Sequence, residues 1–230
     1  MPSPAVTRIT STRIPTKYGD FQLCYYTNNR DDKEHLALYK GDVSQAEAVL
    51  VRVHSECFTG EVLGSLRCDC CEQLDTALQL IANEGAGIVV YLRQEGRGIG
   101  LLQKMKAYNL QDKGHDTVDA NLMLGHEADE RDYSLAACIL KDLQVNSVHL
   151  MTNNPSKISA LEDKGISVKS RVPLEGVMTP DNEHYLVTKA KRMDHLLHLN
   201  EVSKLNQLER INQSSSAISQ CDPHDPQPAD

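Results

Sequence analysis

The chain has 230 residues, 40% of them hydrophobic, so it can bury a sizeable core without disulfide cross-links. Its formal net charge of −8 argues against a nucleic-acid partner, because a surface that follows phosphates needs a basic face. No apolar run is long enough to span a membrane, and no charged and then apolar leader opens the chain. These features predict a cytoplasmic protein without membrane contact, whose seven cysteines stay reduced and available to a metal.

The first part of the chain is predicted to form strands. Residues 1–10 lack periodicity, and we expect a loose N-terminal arm there. From Arg13 to Val53, apolar segments are separated by polar turn signals, which predicts an antiparallel sheet leading into the next stretch. The strand-like segments are 21–25, 35–39 and 48–53.

Four cysteines fall within fifteen residues directly after this sheet, a density that the rest of the chain does not approach. They are Cys57, Cys68, Cys70 and Cys71. Cys57 and the Cys68-x-Cys70 pair have the spacing C-x10-C-x-C and offer three soft thiolates. In an extended loop the first and third residues of C-x-C point to the same side. This pair is therefore predicted to converge on one ion, while Cys71 faces away.

Two kinds of metal site fit these cysteines. Three protein ligands with an open fourth position are typical of a catalytic zinc, which keeps one position for water. Cys71 or His54 as a fourth ligand would instead close a structural site. The spacing alone favours neither.

Beyond the cysteines, the pattern changes to helices that alternate with buried strands. The predicted helices are 71–84, 101–113, 117–124, 133–143, 155–165 and 182–199, and the predicted strands are 87–92, 147–151 and 166–172. Together with the N-terminal part, this order predicts an α+β or mixed α/β fold. We expect an N-terminal antiparallel-rich sheet followed by βα units, with helices packed around a mixed sheet. Residues 11–199 would form a single domain and the polar residues 200–230 a disordered tail.

A glycine-rich turn, RQEGRGIG, follows the strand at 87–92. It lacks the third-glycine spacing of a dinucleotide fingerprint, which excludes a Rossmann fold. The glycines are expected to let the backbone approach a ligand while Arg93, Glu95 and Arg97 are displayed; a solvated charged turn is the alternative.

A second binding loop is predicted at the sequence TNNPSK. Pro155 suits the first position of a helix, which makes Asn154 the predicted cap. The exposed amides of this helix start, with Thr152 and Lys157, would form an anion site, whereas an ordinary capped helix is the alternative.

Six segments in this order carry a family resemblance. They are RVHSECFTGEVLGSLRCDC, YLRQEGRGIGL, KAYNLQD, ADERDY, TNNPSK and NEHYLVTK. They resemble GTP cyclohydrolase II, the first enzyme of riboflavin biosynthesis, over roughly Thr10 to Leu197. Residues 11–199 would then be one catalytic domain. Cys71 is a departure, since many relatives have glycine there.

The resemblance implies zinc-dependent hydrolysis of GTP in a homodimer. The products would be formate, pyrophosphate and 2,5-diamino-6-(5-phospho-ribosylamino)pyrimidin-4(3H)-one. One zinc per subunit would be held by Cys57, Cys68 and Cys70, and Mg²⁺ would accompany the triphosphate.

The same resemblance implies roles for further residues. Tyr108 would donate a proton or a hydrogen bond at the opening ring. Arg131 would be the nucleophile that forms a guanylyl intermediate, with Asp129 as its proton acceptor; a protonated guanidinium could instead clamp the α phosphate by charge. Glu95 could accept the N1 and N2 hydrogens of guanine. The implied substrate-binding residues are Arg52, Val53, His54, Ser55, Glu56, Gln73, Glu95, Gly96, Arg97, Thr117, Thr152 and Lys157.

Three rival functions stay open. One is a relative that stops at the formamidopyrimidine, and another is a catalytically silent zinc-binding regulatory homologue. The presence of Tyr108 weighs against the first, and the presence of Tyr108, Asp129 and Arg131 weighs against the second. The third, a structural zinc ribbon on nucleic acid, is disfavoured by the negative charge.

Overall fold

The computed structural model describes residues 2–174, 176, 178–193 and 195–196, and within them seven strands form one sheet. The strands are β1 (Val6–Thr16), β2 (Gly19–Asn28), β3 (His35–Lys40), β4 (Val49–Ser55), β5 (Gly87–Leu92), β6 (Ser147–Met151) and β7 (Ser167–Val172). The helices are α1 (Phe58–Glu61), α2 (Cys70–Glu84), α3 (Leu101–Gln111), α4 (Thr117–Met123), α5 (Ser134–Asp142), α6 (Pro155–Glu162) and α7 (Glu183–Arg192), and a 3₁₀ turn spans Glu95–Gly98. Each helix in this part of the chain is too short or too polar to cross a lipid bilayer.

The sheet is mixed, in the order β1-β2-β3-β5-β4-β6-β7. The first three strands and β5 pair antiparallel, whereas β4 is parallel to β5 and β6, and β6 is parallel to β7. The predicted fold class, an antiparallel-rich N-terminal sheet followed by βα units around a mixed sheet, is confirmed. Because parallel strands end at the same edge, the segments that follow β4, β5 and β6 meet there.

The sheet carries a core on each face. Ile88 and Val90 of β5 belong to the core that contains Ile139 of α5, whereas Val89 packs on the opposite face with Ile81 of α2. Successive side chains of a strand point to opposite faces. Burial on both faces explains why β5 is almost continuously apolar rather than alternating.

Two expectations for the N-terminal sheet are wrong. Residues 6–10 belong to β1 rather than to a loose arm, since Val6 pairs with Asn28 and the ladder continues along β2. Most β1 side chains are exposed, so the strand lacks the apolar alternation from which a strand is predicted. β4 is parallel, not antiparallel, to both of its neighbours, and it is buried on both faces as such strands are.

The helix boundaries follow local signals. α2 ends at Gly85, whose φ of 83° is left-handed. α6 begins at Pro155, and the Asn154 side chain caps it by accepting from the Ser156 N–H at 3.0 Å, as predicted. α7 ends at Arg192, before the predicted end at 199. The single domain over 11–199 stays a prediction, and the predicted tail at 200–230 lies outside the described residues.

Candidate active site

Three of the four clustered cysteines meet at the edge of the sheet where β4 ends. Cys57 lies between β4 and α1, Cys68 lies just before α2, and Cys70 is the first residue of α2. Their Sγ atoms all lie within 4.8 Å of one another, and those of Cys57 and Cys68 are 3.5 Å apart. Such a group can hold one metal ion, as the spacing predicts.

Gly60 of α1 makes room for this cluster. A Cβ at this position would lie 2.9 Å from the Cys68 Sγ and 3.2 Å from the Cys57 Sγ. Because these distances are shorter than ordinary contacts, the backbone of α1 passes directly over the sulfurs. Three soft donors under a backbone that admits no side chain fit a thiophilic ion such as zinc.

The described residues supply no fourth ligand to the cluster. Within them, the only group of ligating side chains close enough to share an ion is the three cysteines, and Cys71 is exposed. His54, the other candidate, has its Nε2 2.8 Å from Glu61 Oε1. In this part of the chain, therefore, the open three-thiol arrangement is present and the closed four-ligand one is not.

Cys68 and Cys70 converge for a different reason from the extended loop that the sequence suggests. Asp69, between them, has φ −99° and ψ 18°, which is not extended, and it immediately precedes α2. Its buried carboxylate accepts from Lys189 Nζ at 2.7 Å and from Gln73 Nε2 at 2.6 Å. The anchored Asp69 fixes the turn in which both cysteines face the same point.

A mostly buried carboxylate fixes the connection from β4 to the cluster. Glu61 accepts from the Cys57 N–H at 2.8 Å and from the Tyr91 hydroxyl at 2.7 Å, in addition to its contact with His54. His54 stacks on Tyr91, and burial lowers the pKa of His54 despite the nearby Glu61. His54 thus supports the β4–α1 connection.

A second buried ion pair touches the cluster from α3. Lys104 Nζ donates to Cys57 Sγ at 3.1 Å and to Glu95 Oε1 at 2.7 Å. Glu95 also accepts from the backbone N–H groups of Phe58 at 2.6 Å and Gly96 at 2.7 Å. Both carboxylate oxygens thus have protein donors, and the suggested contact of Glu95 with guanine stays a prediction.

The thiols of the cluster do not ionise alike. Hydrogen bonds from Cys68 and Cys70 lower the pKa of Cys57, and Lys104 acts in the same direction. Its hydrogen bond with Cys57 raises the pKa of Cys68 to about 11. The ammonium of Lys104 next to its sulfur therefore favours the thiolate form of Cys57.

Tyr108, the predicted proton donor, lies beside the cluster on α3. Its hydroxyl is 3.3 Å from Thr59 Oγ1, which is itself 3.8 Å from Cys57 Sγ. The Arg67 guanidinium lies 4.8 Å from the centre of the Tyr108 ring. Burial raises the pKa of Tyr108, so its hydroxyl stays protonated and able to donate.

These groups line a cleft of about 640 Å³, here called the thiol cleft. Most of the predicted site residues line it. They are Ser55, Glu56, Cys57, Cys68, Cys70, Glu95, Gly96, Arg97, Tyr108, Thr117 and Arg131. Gln94, Asn121 and Tyr185 also line this cleft, although the sequence did not single them out.

A second cleft, of about 560 Å³, is rich in basic side chains and is called the cation cleft. Its lysines and arginines are Arg52, Arg97, Arg131, Lys157 and Lys189. The predicted residues His54, Ser55, Gln73 and Thr152 line it as well. The two clefts adjoin, because Ser55, Cys70, Arg97, Arg131 and Tyr185 line both.

The charges of the cation cleft are strongly desolvated. Burial, with repulsion from Arg52 and Arg131, lowers the pKa of Lys157 well below its usual range, and its Nζ donates to the Val53 carbonyl at 2.8 Å. Burial also lowers the pKa of Arg52, which donates to Gln73 Oε1 at 2.6 Å. Converging cations removed from water favour a ligand that carries several negative charges.

Arg131 and Asp129 form a two-pronged ion pair beside this cleft. Arg131 Nε donates to Asp129 Oδ1 at 2.7 Å, and its terminal nitrogen donates to the other carboxylate oxygen. Burial acts to lower the pKa of Arg131, but Tyr133 and Asp129 outweigh it and raise the pKa. Arg131 is therefore protonated in the free protein, as a charge clamp requires.

The glycine-rich turn is packed against the protein rather than solvated. A Cβ at Gly98 would lie 3.0 Å from the backbone carbonyl of Glu130, so at this glycine the backbone approaches another segment of the chain. Arg93 pairs with Glu56 at 2.9 Å and Glu95 is buried, which argues against a solvated charged turn. Gly96 and Arg97 line the thiol cleft, and the approach of this turn to a ligand stays a prediction.

Two predicted residues line neither cleft. Val53 is buried in the core and offers only its carbonyl, and Asp129 contacts Arg131, which lines both clefts. The residues that sequence reasoning missed had a usable signal. Lys104 lies four positions before Tyr108 and Lys189 four after Tyr185, the spacing that places two side chains on one helix face.

Comparison with known proteins gives consistent matches. The family profile described as GTP cyclohydrolase II matches residues 7–173. Riboflavin biosynthesis protein RibBA of Chlamydia trachomatis is 56% identical over 195 residues, which cover 84% of this chain and 46% of that protein. RibBA of Phocaeicola vulgatus is 54% identical over 188 residues, covering 82% of this chain and 46% of that protein. The chain thus spans about half the length of these relatives.

Proposed function

The chain belongs to the GTP cyclohydrolase II family, and from this premise we propose that it hydrolyses GTP. The proposed reaction opens the imidazole ring of guanine with release of formate and cleaves the bond between the α and β phosphates with release of pyrophosphate. The remaining product would be 2,5-diamino-6-(5-phospho-ribosylamino)pyrimidin-4(3H)-one. RibBA relatives carry the name of riboflavin biosynthesis, and we place this activity in the same route.

One observation supports this proposal above the others: the cleft that contains the three thiols adjoins a strongly basic cleft. Arg97 and Arg131 line both clefts. A nucleotide carries its base at one end and its phosphates at the other, so the adjoining clefts match its two ends. The base would lie in the thiol cleft and the phosphates in the cation cleft.

We propose zinc as the metal, held by Cys57, Cys68 and Cys70. The donor set of three thiolates and the clearance above it at Gly60 fit this ion. When bound, zinc would activate water for attack at C8 of guanine and stabilise the negative charge that develops.

Tyr108 and its surroundings would act on the base. Its hydroxyl is protonated, lies beside the cluster, and can donate to a nitrogen or oxygen of the opening ring. Arg67 above the ring restricts the orientation of Tyr108. The described residues on the walls of the thiol cleft are mostly buried or half-buried, which limits the number of competing waters.

The phosphates would be bound by charge. We propose that Arg131, held by Asp129, clamps the α phosphate, while Arg52, Lys157 and Lys189 favour the polyanion. Mg²⁺ would accompany the triphosphate and neutralise the leaving pyrophosphate. In the alternative role, Arg131 would attack the α phosphorus, pyrophosphate would leave, and Asp129 would take the proton of Arg131. The raised pKa of Arg131 weighs against this role.

The test measures both products together. Purified zinc-replete protein is incubated with GTP and magnesium, and formate and pyrophosphate are quantified in the same samples. Equal release supports the full reaction. Pyrophosphate without formate would indicate a relative that stops at the formamidopyrimidine, and neither product would indicate a silent homologue. The homodimer, the cytoplasmic location and the absence of nucleic-acid or membrane partners stay predictions.

A further inference from the structure

Lys104 is a mostly buried cation at the thiol cluster. Neither the resemblance nor the matched family description gives it a role. Only 12% of its side chain is exposed, and 8% of that of its partner Glu95. Burying an ammonium is costly unless it is paired and hydrogen-bonded. Lys104 has two strong ones, the Glu95 carboxylate at 2.7 Å and the Cys57 sulfur at 3.1 Å.

The position of the ammonium is fixed from several sides. Glu95 is itself held by the backbone N–H groups of Phe58, the residue after Cys57, and of Gly96. The Tyr108 ring lies 5.7 Å from Lys104 Nζ and covers it. Glu95 and Tyr108 therefore hold the ammonium within reach of the Cys57 sulfur.

We propose that Lys104 is a positioning residue of the metal site, which orients the Cys57 sulfur toward the ion and offsets part of the charge of the three thiolates. This inference rests on the zinc site of the proposed function. Three thiolates around one divalent ion carry a net charge of minus one in a desolvated place. A hydrogen-bonded ammonium stabilises that loaded state relative to the neutral thiols.

Neighbouring residues of metal ligands commonly act in this way. Groups that hydrogen-bond to ligands fix their orientation and tune the charge that they donate to the ion. At this site Glu61 holds the backbone of Cys57 and Lys104 holds its sulfur, so the first ligand is fixed at both ends.

The test compares three variants as full-length purified proteins. Lys104→Met keeps the length of the side chain without its charge, Lys104→Arg keeps the charge, and Lys106→Met is the matched control at an exposed position of the same helix. Zinc affinity is measured by competition with a chromophoric chelator. The protein is also loaded with cobalt, and its sulfur-to-metal charge-transfer absorption is recorded.

We expect Lys104→Met to lose about 10- to 100-fold in zinc affinity. Its charge-transfer bands should move to longer wavelength, because a sulfur without its hydrogen bond gives up electron density more easily. Lys104→Arg should recover most of both properties and Lys106→Met should match the wild type. A structural role alone would not move the absorption bands.

Three results would overturn the inference. They are wild-type affinity and absorption in Lys104→Met, equal losses in the arginine and methionine variants, and absence of sulfur-to-cobalt bands in the wild type. Failure of the proposed function is distinguishable, because it is measured by product release from the wild type. A protein that binds zinc at the thiols but releases neither product would refute the GTP reaction and leave the Lys104 comparison valid.

Discussion

Replacing Gly60 by alanine should weaken the proposed metal site by adding a single methyl group. The added Cβ would lie 2.9 Å from the Cys68 Sγ and 3.2 Å from the Cys57 Sγ. Non-bonded atoms normally settle at about 3.5–4.0 Å, so the Cys68 sulfur or α1 must move by about 0.6 Å or more. Metal–ligand distances are held to within about 0.2 Å, so this displacement cannot be absorbed at the ion.

The cost follows from the packing. Inserting a methyl group into a tightly packed site costs about 1–3 kcal/mol, and each 1.4 kcal/mol is tenfold in affinity, so zinc should bind about 5- to 150-fold more weakly. The assay is chelator competition on purified protein, with a thermal melt to confirm folding. Gly64→Asn is the control, since Gly64 has φ +65°, which Asn tolerates, and nothing lies within 4 Å of an added Cβ. Wild-type zinc affinity in folded Gly60→Ala would refute the assignment of this glycine.

Three further predictions address the chemistry and the pH dependence. Cys68→Ser should abolish formate release and affect pyrophosphate release less. The control Cys71→Ser, at an exposed cysteine, should keep the release of both products. Formate release at the wild-type rate from Cys68→Ser would contradict the metal assignment. Arg131→Ala should lower kcat for the release of both products by about 10²–10³-fold, because it removes the charge proposed to bind the phosphates. Arg131→Lys should recover part of the lost activity. Unequal effects on the two products would argue against a shared site. Burial, assisted by Lys189, lowers the pKa of His195 to about 4, whereas the pKa of an unfolded histidine is about 6.5. The unfolded state therefore binds more protons as pH falls through this window, so the stability that this group contributes is complete above about pH 6.5 and is lost toward pH 4. Urea midpoints at pH 7 and pH 5 should differ less for His195→Asn than for the wild type, and equal differences would disprove the assignment.

Local patterns predicted the parts of this molecule that depend on neighbouring residues. Cys57, Cys68 and Cys70 lie close in sequence, so their convergence could be inferred, even though the turn at Asp69 rather than an extended loop produces it. The Asn154 cap and the Gly85 stop are also local, since each acts within one helical turn.

The parts that were missed depend on distant partners. Lys104 meets Cys57 across 47 positions, and no pattern around either residue specifies the other. The direction of β4 is set by its pairing with β5 and β6, and the paired residues of β6 follow about a hundred positions later. The parallel pairing of β4 could therefore not be inferred from the composition of β4 itself. β1 lacked apolar alternation because it lies at the edge of the sheet with most side chains in solvent.

The contact between Gly98 and the backbone of Glu130 has a consequence for how much variation the protein tolerates. The short turn that contains Gly98 also carries Glu95, which holds the lysine at the sulfurs, while the segment after Glu130 carries Arg131. One length of main chain thereby sets the distance between the thiol cluster and Arg131, where we propose that the base and the phosphates bind. An insertion or deletion of one residue in this turn would change that distance, so we expect the length of the turn to be fixed even where its side chains vary.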